Sequence, residues 1–529
     1  MIRKADILPD GYFPPLVERF YREDPEVLSL YPPAGPHADF APVIQSYSHF
    51  SVHKRNVLAS VLQKQYAGIV SSGIAESIES LRDANTFTVT TGQQIHVFLG
   101  PLYVLYKAWS AISLSRQLAA KYPQYRFVPI FWMATEDHDL EEIQTVKLWG
   151  QTYTWQAPAG GPVGRLPTRG LAELCTELKQ KLHLNPEQAE RLNLFEEAYS
   201  RFPTLADATR FLLHRLLGDD GLVVLDPDHP ELKKEFVPVL LQELSSDKVQ
   251  STVQTATGQM KSMGLEPAIS ARSCNLFLIE NGKRNRLDKA ADGSFHTTDT
   301  TTFSLQALSE KAEESPEIFS PNVVLRPVYQ QVILPNLAYV AGPSEMVYWC
   351  QLYPLFQALE MQAPVLKHRH AFTISDSTAI KWMQELKTGF PELWESREVL
   401  KNRLMQQLAG ANPMLPVLKE LEAVIQQSAN VLYTWKHPDL KALKKTGEAW
   451  FQQLKTASEK YETELFSQEK NAALLSRLNK LKSRVADNTS PQERTQYWLE
   501  WYLVSGLGAM PAAELPESES SPLMYLDIQ

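Results

Sequence analysis

The sequence predicts an α/β fold built on an open parallel sheet, with a long helical arm toward its C-terminal end. Two strand-like segments, Thr86–Thr91 and Arg126–Trp132, flank a helix-like stretch from Gly100 to about Ala120, which makes a βαβ unit. Each strand runs into a dense polar cluster, Gly92-Gln93-Gln94 or Glu136-Asp137-His138-Asp139, at the end where open α/β sheets place their ligands. From about Asp376 the pattern changes to heptads. Leu440, Gly447, Leu454 and Tyr461 fall seven apart, Leu443, Trp450 and Ala457 interleave, and Leu474, Leu478, Leu481 and Val485 resume the stripe.

A chain of 529 residues is too long for one ordinary core. The expected divisions are a core over 1–375 with a mixed insertion at about 146–310, the arm over 376–486, and a tail over 487–529 that packs on the core. With 44% hydrophobic and 21% charged residues the composition is that of a soluble globular protein. The formal charge of −9 argues against nonspecific nucleic-acid binding and leaves room for a local basic pocket. Cys175, Cys274 and Cys350 are far apart without CxxC pairing, which points to neither a disulfide framework nor a zinc site and fits a reducing compartment. The N-terminal stretch has no signal-peptide character and no apolar run reaches membrane-spanning length, so a cytoplasmic protein is expected.

Before the βαβ unit, residues 1–85 read as helical, with helical spacing over Val52–Leu81. Within the insertion, Gly160-Gly161-Pro162 marks a turn and Gly221–Leu225 is a strand ending at Asp226-Pro227-Asp228. The runs 275–280 and 283–287 form a hairpin about Asn281-Gly282. Val323–Leu325, Ile333–Val340 and Pro364–His370 read as later strands of the first sheet, and a helix follows Gly342-Pro343-Ser344-Glu345 as far as Leu359. Pro413, Pro416 and Lys436-His437-Pro438 mark turns of an antiparallel arm, whose heptads do not say whether the partner helix belongs to the same chain. The aromatics Tyr497–Tyr502 should pack on the core, and Glu514–Glu519 reads as a solvated loop.

Among the polar clusters, Gly92 permits close backbone approach, and Gln93 and Gln94 suit an adenine edge or a sugar hydroxyl, or simply a polar loop. Gly100-Pro101 offers a helix start for an anion, or an ordinary helix start, and Lys107 is a site cation or a surface residue. Asp139 followed by Glu142 matches a capping box, which leaves Glu136, Asp137 and His138 to hold an ammonium, accept a proton or, second, bind Mg²⁺. Arg326, Arg369 and the Arg284/Arg286 pair are candidates for carboxylate or phosphate, and Gly342 with Glu345 repeats the Gly-Pro device. GxSxG, Walker A, HExxH and GxGxxG motifs are missing from strand–turn–helix junctions.

These motifs, with Gly100-Pro101-Leu102-Tyr103, Tyr106-Lys107, Phe131-Trp132, Leu325-Arg326-Pro327, Tyr348-Trp349 and Pro491-Gln492-Glu493-Arg494, together resemble the cysteine ligase family of bacillithiol biosynthesis. The resemblance implies a Rossmann-like parallel-sheet core with inserted connecting-peptide regions, and a coiled-coil arm that pairs two subunits as a homodimer. It also implies the joining of cysteine to the amino group of glucosaminyl malate. Ser344 stands at the family's small residue after Gly-Pro, whereas His96 stands where a small or apolar residue is expected. Amide formation needs an activated carboxylate, for which ATP is the suspected source although no nucleotide signature is present.

On this reading Glu136, Asp137 and His138 are catalytic, a carboxylate holding the cysteine ammonium and His138 taking the sugar amine's proton. Gln93, Gln94, Tyr103, Arg326, Ser344, Glu345 and Arg369 bind substrate, with Arg326 or Arg369 on the malate carboxylates. Gly92, Gly100, Pro101, Lys107 and Gly342 bind an anion or nucleotide, and no metal ligand is assigned. The rival readings are another small-molecule ligase or nucleotidyltransferase, and a non-enzymatic coiled-coil scaffold.

Overall fold

A computed structural model describes residues 2–4, 11–35, 38–47, 50–69, 71–157, 161–409, 414–434, 441–467, 469–487, 490–508, 515 and 523–527. Pro413, Leu440, Gly160, the Lys436-His437-Pro438 turn and all of Glu514–Glu519 but Leu515 lie outside the described residues. The chain divides into two units, one of residues 2–372 with 496–525, the other chiefly residues 373–495.

The first unit is organised by a five-stranded parallel sheet. Its strands are β1 (Thr86–Gln93), β2 (Arg126–Met133), β3 (Val223–Leu225), β4 (Asn336–Ala341) and β5 (Val365–His368). Their order is β5-β4-β1-β2-β3, with every neighbouring pair parallel. β-Branched and aromatic residues dominate β1 and β2, and both strands are almost wholly buried, as parallel strands covered on two faces must be. The chain winds outward from β1 through β2 to β3, then returns to the other side of β1 for β4 and β5. The reversal lies between β1 and β4, the place where such sheets open a crevice at their carboxyl ends.

Helix α1 (Leu102–Lys121) joins β1 to β2 and packs on both. Three later helices matter to the site: α2 (Pro230–Ser245) after β3, α3 (Arg326–Ile333) before β4, and α4 (Pro343–Ala358) after it. The stretch 146–310 is thus more than an insertion, because it supplies β3. It also carries most of a second, antiparallel sheet, in which Leu276–Glu280 and Lys283–Lys289 pair about a tight turn and Phe319–Pro321 adds to the other edge. Asn281 and Gly282 have φ of 52° and 72°, as a two-residue hairpin turn requires.

One expected strand is not there. Val323–Leu325 is a turn, because the Asn322 side-chain oxygen accepts the N–H groups of Val324 (2.9 Å) and Leu325 (3.3 Å) and leads the chain directly into α3.

The aromatic tail packs within this unit. Pro101 bridges to Tyr497, Leu102 N–H donates to Gln496 O at 3.0 Å, and Trp498 N–H donates to Gly100 O at 3.1 Å. Trp498 stacks on Tyr502 at 4.5 Å and meets Phe195 at 6.0 Å.

The other unit contains long helices, Met414–Thr434, Lys441–Ser467 and Glu469–Val485. In Lys441–Ser467 the half-buried positions are Lys444, Gly447, Phe451, Leu454, Ser458 and Tyr461, among them three of the heptad positions. Trp450 and Ala457, expected on that seam, face outward, and Trp450 is 58% exposed. Among the described residues no helix is long and apolar enough to cross a membrane.

Candidate active site

Two polar groups converge on the carboxyl ends of the sheet. The first centres on Lys107, which sits in the second turn of α1 and is buried. Its ammonium donates to Gly92 O, to Gln93 Oε1 (3.2 Å) and to Glu345 Oε2 (2.5 Å). Gly92 is needed there, since a side chain would press on the Trp132 carbonyl at 3.1 Å. Glu345, in the first turn of α4, also accepts Gly342 N–H (2.7 Å) and the hydroxyls of Tyr339 (2.7 Å) and Tyr348 (3.3 Å). Burial alone would push the Glu345 carboxyl up, but Lys107 and these donors hold it below the usual carboxylate range. Burial pulls Lys107 down against the pull of Glu345, and Arg369 and Arg326 add to the lowering. The surface alternative for Lys107 is therefore overturned.

Arg326 opens α3 beside this pair, 5.4 Å from the Tyr339 ring and 5.9 Å from that of Trp132. Its Nη1 donates to Gln330 Oε1 at 3.1 Å, while the buried Nη2 meets no acceptor among the described residues. Arg369 follows β5, buried, with its N–H on Ala341 O (2.9 Å) and Nη1 on His370 O (2.9 Å). Ser344 is exposed on the first turn of α4.

The second group is the loop after β2. Gln93 Nε2 donates to Gln94 Oε1 at 3.1 Å and lies 3.5 Å from the Tyr103 hydroxyl, and Gln94 Nε2 bonds Asp137 Oδ2 (3.1 Å) and Glu142 Oε2 (2.6 Å). The two strand ends are so joined by a row of amides. Asp139 accepts Glu142 N–H at 3.3 Å as the N-cap of Leu140–Ile143, the capping role its spacing predicts. Glu142 does not complete the box, because its carboxylate is spent on Gln94.

Neighbours in the tetrapeptide differ sharply. Glu136 is buried and ion-paired with Lys233, which is itself fully buried and donates to Phe319 O at 2.6 Å. Burial raises the Glu136 carboxyl, against the pull of Lys233. Asp137 and His138 keep side-chain exposures of 32% and 47%, and Asp139 is exposed too, so Glu136 alone of the four is closed to a solute. His138 Nδ1 lies 3.0 Å from Arg284 Nη1. Arg284 stacks on Phe277 at 3.7 Å and donates to Ser320 Oγ (3.0 Å) and Pro321 O (3.1 Å). Its partner in the sequence, Arg286, turns away to Asp288 at 2.8 Å.

Gly100 and Pro101 are not part of this convergence. Their hydrogen bonds go to the tail and to neighbouring turns, and Leu102 N–H at the helix start is taken by Gln496 O. Gly100 has φ 71°, and a side chain on it would collide with His96. His96 is buried among these contacts, and burial pushes its imidazole down to about 4. Lys233 escaped the sequence reading. The signal available was a lysine in the first turn of α2, where the helix dipole disfavours a cation and a buried anionic partner is called for. Among the described residues no cluster of His, Cys, Asp and Glu has the makings of a metal site.

Residues 5–370 match the model described as "Bacillithiol biosynthesis BshC, N-terminal Rossmann-like domain". A protein of Flavobacterium johnsoniae is 34% identical over 95% of this chain and 94% of its own length. One from Christiangramia forsetii is 32% identical over 94% and 93%, and one from Flavobacterium psychrophilum 36% identical over 74% of each. All three carry the name "Putative cysteine ligase BshC". The chain belongs to the BshC family of bacillithiol biosynthesis, a family of ligases on a Rossmann-like core.

Proposed function

We propose that the protein forms the amide bond between the carboxyl group of cysteine and the amino group of glucosaminyl malate, giving bacillithiol, through a carboxylate activated by ATP. The observation that carries the reading is the continuous polar row from Lys107 through Gln93 and Gln94 to Asp137 at the switch point of a BshC-family sheet. Asp137 is the carboxylate for the cysteine ammonium, because Glu136 is committed to Lys233. Arg326, which also engages the Tyr348 hydroxyl and whose Nη2 meets no acceptor among the described residues, takes a malate carboxylate or a phosphate oxygen. Both Gly-Pro helix starts have paired N–H groups, Leu102 with Gln496 O and Gly342 with Glu345, so phosphate charge falls mainly to side-chain cations.

Two subunits pair through the helical arm. Support comes from Val417, Leu421, Val424 and Val431, spaced four, three and seven apart on one helix and each at least 41% exposed. The setting is cytoplasmic, in line with the chemistry of free cysteine.

The test is to incubate the purified protein with cysteine, glucosaminyl malate and ATP, following product mass and AMP against ADP. The expected result is a product of bacillithiol mass with stoichiometric nucleotide cleavage. No product with any nucleotide sinks the reading.

A further inference from the structure

We infer that Arg284 fixes His138 as the neutral tautomer with its one proton on Nε2, so that the ring serves the crevice as a hydrogen-bond donor and not as the base that takes the amine's proton. A guanidinium has donors only, so an imidazole nitrogen 3.0 Å from Arg284 Nη1 must offer a lone pair. That nitrogen is Nδ1, which leaves the ring proton on Nε2.

Arg284 is not free to turn away. Nε is held by Ser320 Oγ, Nη2 by Pro321 O, and the plane lies on Phe277. The groups facing the ring are Arg284, Phe277 at 5.8 Å and Asp137, whose Oδ1 is 3.6 Å from Nδ1, outside hydrogen-bonding distance. Nε2 meets no acceptor among the described residues, and the side chain is 47% exposed. The donor is therefore presented outward. Arg284 acts through His138 and is a positioning residue.

The role in the reaction rests on the ligase reading above, but the tautomer does not. As the amine nitrogen attacks the activated carboxyl carbon, the C–N bond forms, the activating group leaves with its electron pair, and the amine's proton passes to solvent or a carboxylate. His138 Nε2–H can steady the carboxyl oxygen as its charge grows.

The test is solid-state nitrogen-15 NMR of the full-length protein labelled at its twelve histidines, with the His138 signals identified by their loss in His138→Gln. An Nε2–H, unprotonated-Nδ1 ring above neutral pH is expected in the wild type, and a mixture of tautomers in Arg284→Gln. A ring protonated at Nδ1 in the wild type overturns the inference. Ligase kinetics separate donor from base. Glutamine can place an amide N–H near the Nε2 position, so His138→Gln should stay within about ten-fold of wild type while His138→Ala falls about a hundred-fold in kcat. Equal losses in the two variants overturn the donor role. A preparation inactive in every form refutes the ligase reading, and the NMR result stands apart from it.

Discussion

Lys107 and Glu345, 238 residues apart in the chain, form a buried ion pair at the point where the strand order of the sheet reverses. The lysine comes from the helix after β1 and the glutamate from the helix after β4, so the pair ties together the two halves of the sheet. Each charge is also hydrogen-bonded to strand-end or helix-start groups, which is what makes burial of the pair tolerable.

Removing one partner should leave the other charge buried and uncompensated. Lys107→Ala or Glu345→Ala is expected to destabilise the protein by about 3–5 kcal/mol, and Lys107→Met with Glu345→Leu by clearly less than the two single losses combined. Equilibrium urea unfolding of the three variants checks this. Strictly additive losses would mean that the two charges are not coupled.

Gly100→Ala should destabilise through both its backbone and its contacts. With φ 71° and ψ −155° the backbone lies where essentially only glycine goes, at a cost of about 1–3 kcal/mol for a residue with a side chain, and the new methyl would lie 2.6 Å from His96 Cβ. A lowered midpoint in a thermal melt is expected, and adding His96→Ala should recover little of it, since alanine removes the ring but keeps the Cβ that lies closest and leaves the dihedral unchanged. A neutral Gly100→Ala would contradict the geometry of this turn.

Glu243 should make stability fall as pH rises through neutrality. It lies on α2, where one carboxylate oxygen accepts both the backbone and side-chain N–H of Asn275, at 2.6 and 2.9 Å, while the other is buried without a partner. Burial pushes its carboxyl up to about 7 from an ordinary 4.5. The folded state thus holds a proton that the unfolded chain releases. The resulting stabilisation is complete below about pH 4.5 and is lost as pH climbs through about 7. Glu243→Gln should flatten this part of the unfolding free energy against pH and be the more stable form above neutrality. A profile with unchanged slope would count against it.

Much of the sheet was legible because its strands are buried on both faces and read as apolar, β-branched runs ending in glycine or acid. The switch point was legible for the same reason, through Gly92-Gln93 on one side and Gly342 to Glu345 on the other. Lys107 was visible as a candidate, but its depth was not, because only the return of α4 to the same crevice covers it. Lys233 and the role of Arg284 stayed hidden for a related reason. Their partners, Glu136 and His138, lie 97 and 146 residues away, and no local pattern encodes such a pairing. Val323–Leu325 misled because a side-chain turn at Asn322 overrode two β-branched residues. In the arm, the heptad spacing of Gly447, Leu454 and Tyr461 marks half-buried positions, while Trp450 at the complementary spacing is exposed.

The helix that delivers Lys107 to the crevice begins under the tail, with Leu102 N–H on Gln496 O and Gly100 O holding Trp498. During synthesis, β1, α1 and β2 emerge early, yet this cover arrives only after roughly four hundred further residues have been made. The nascent chain therefore carries an uncovered start to the helix that holds Lys107 for most of its time on the ribosome.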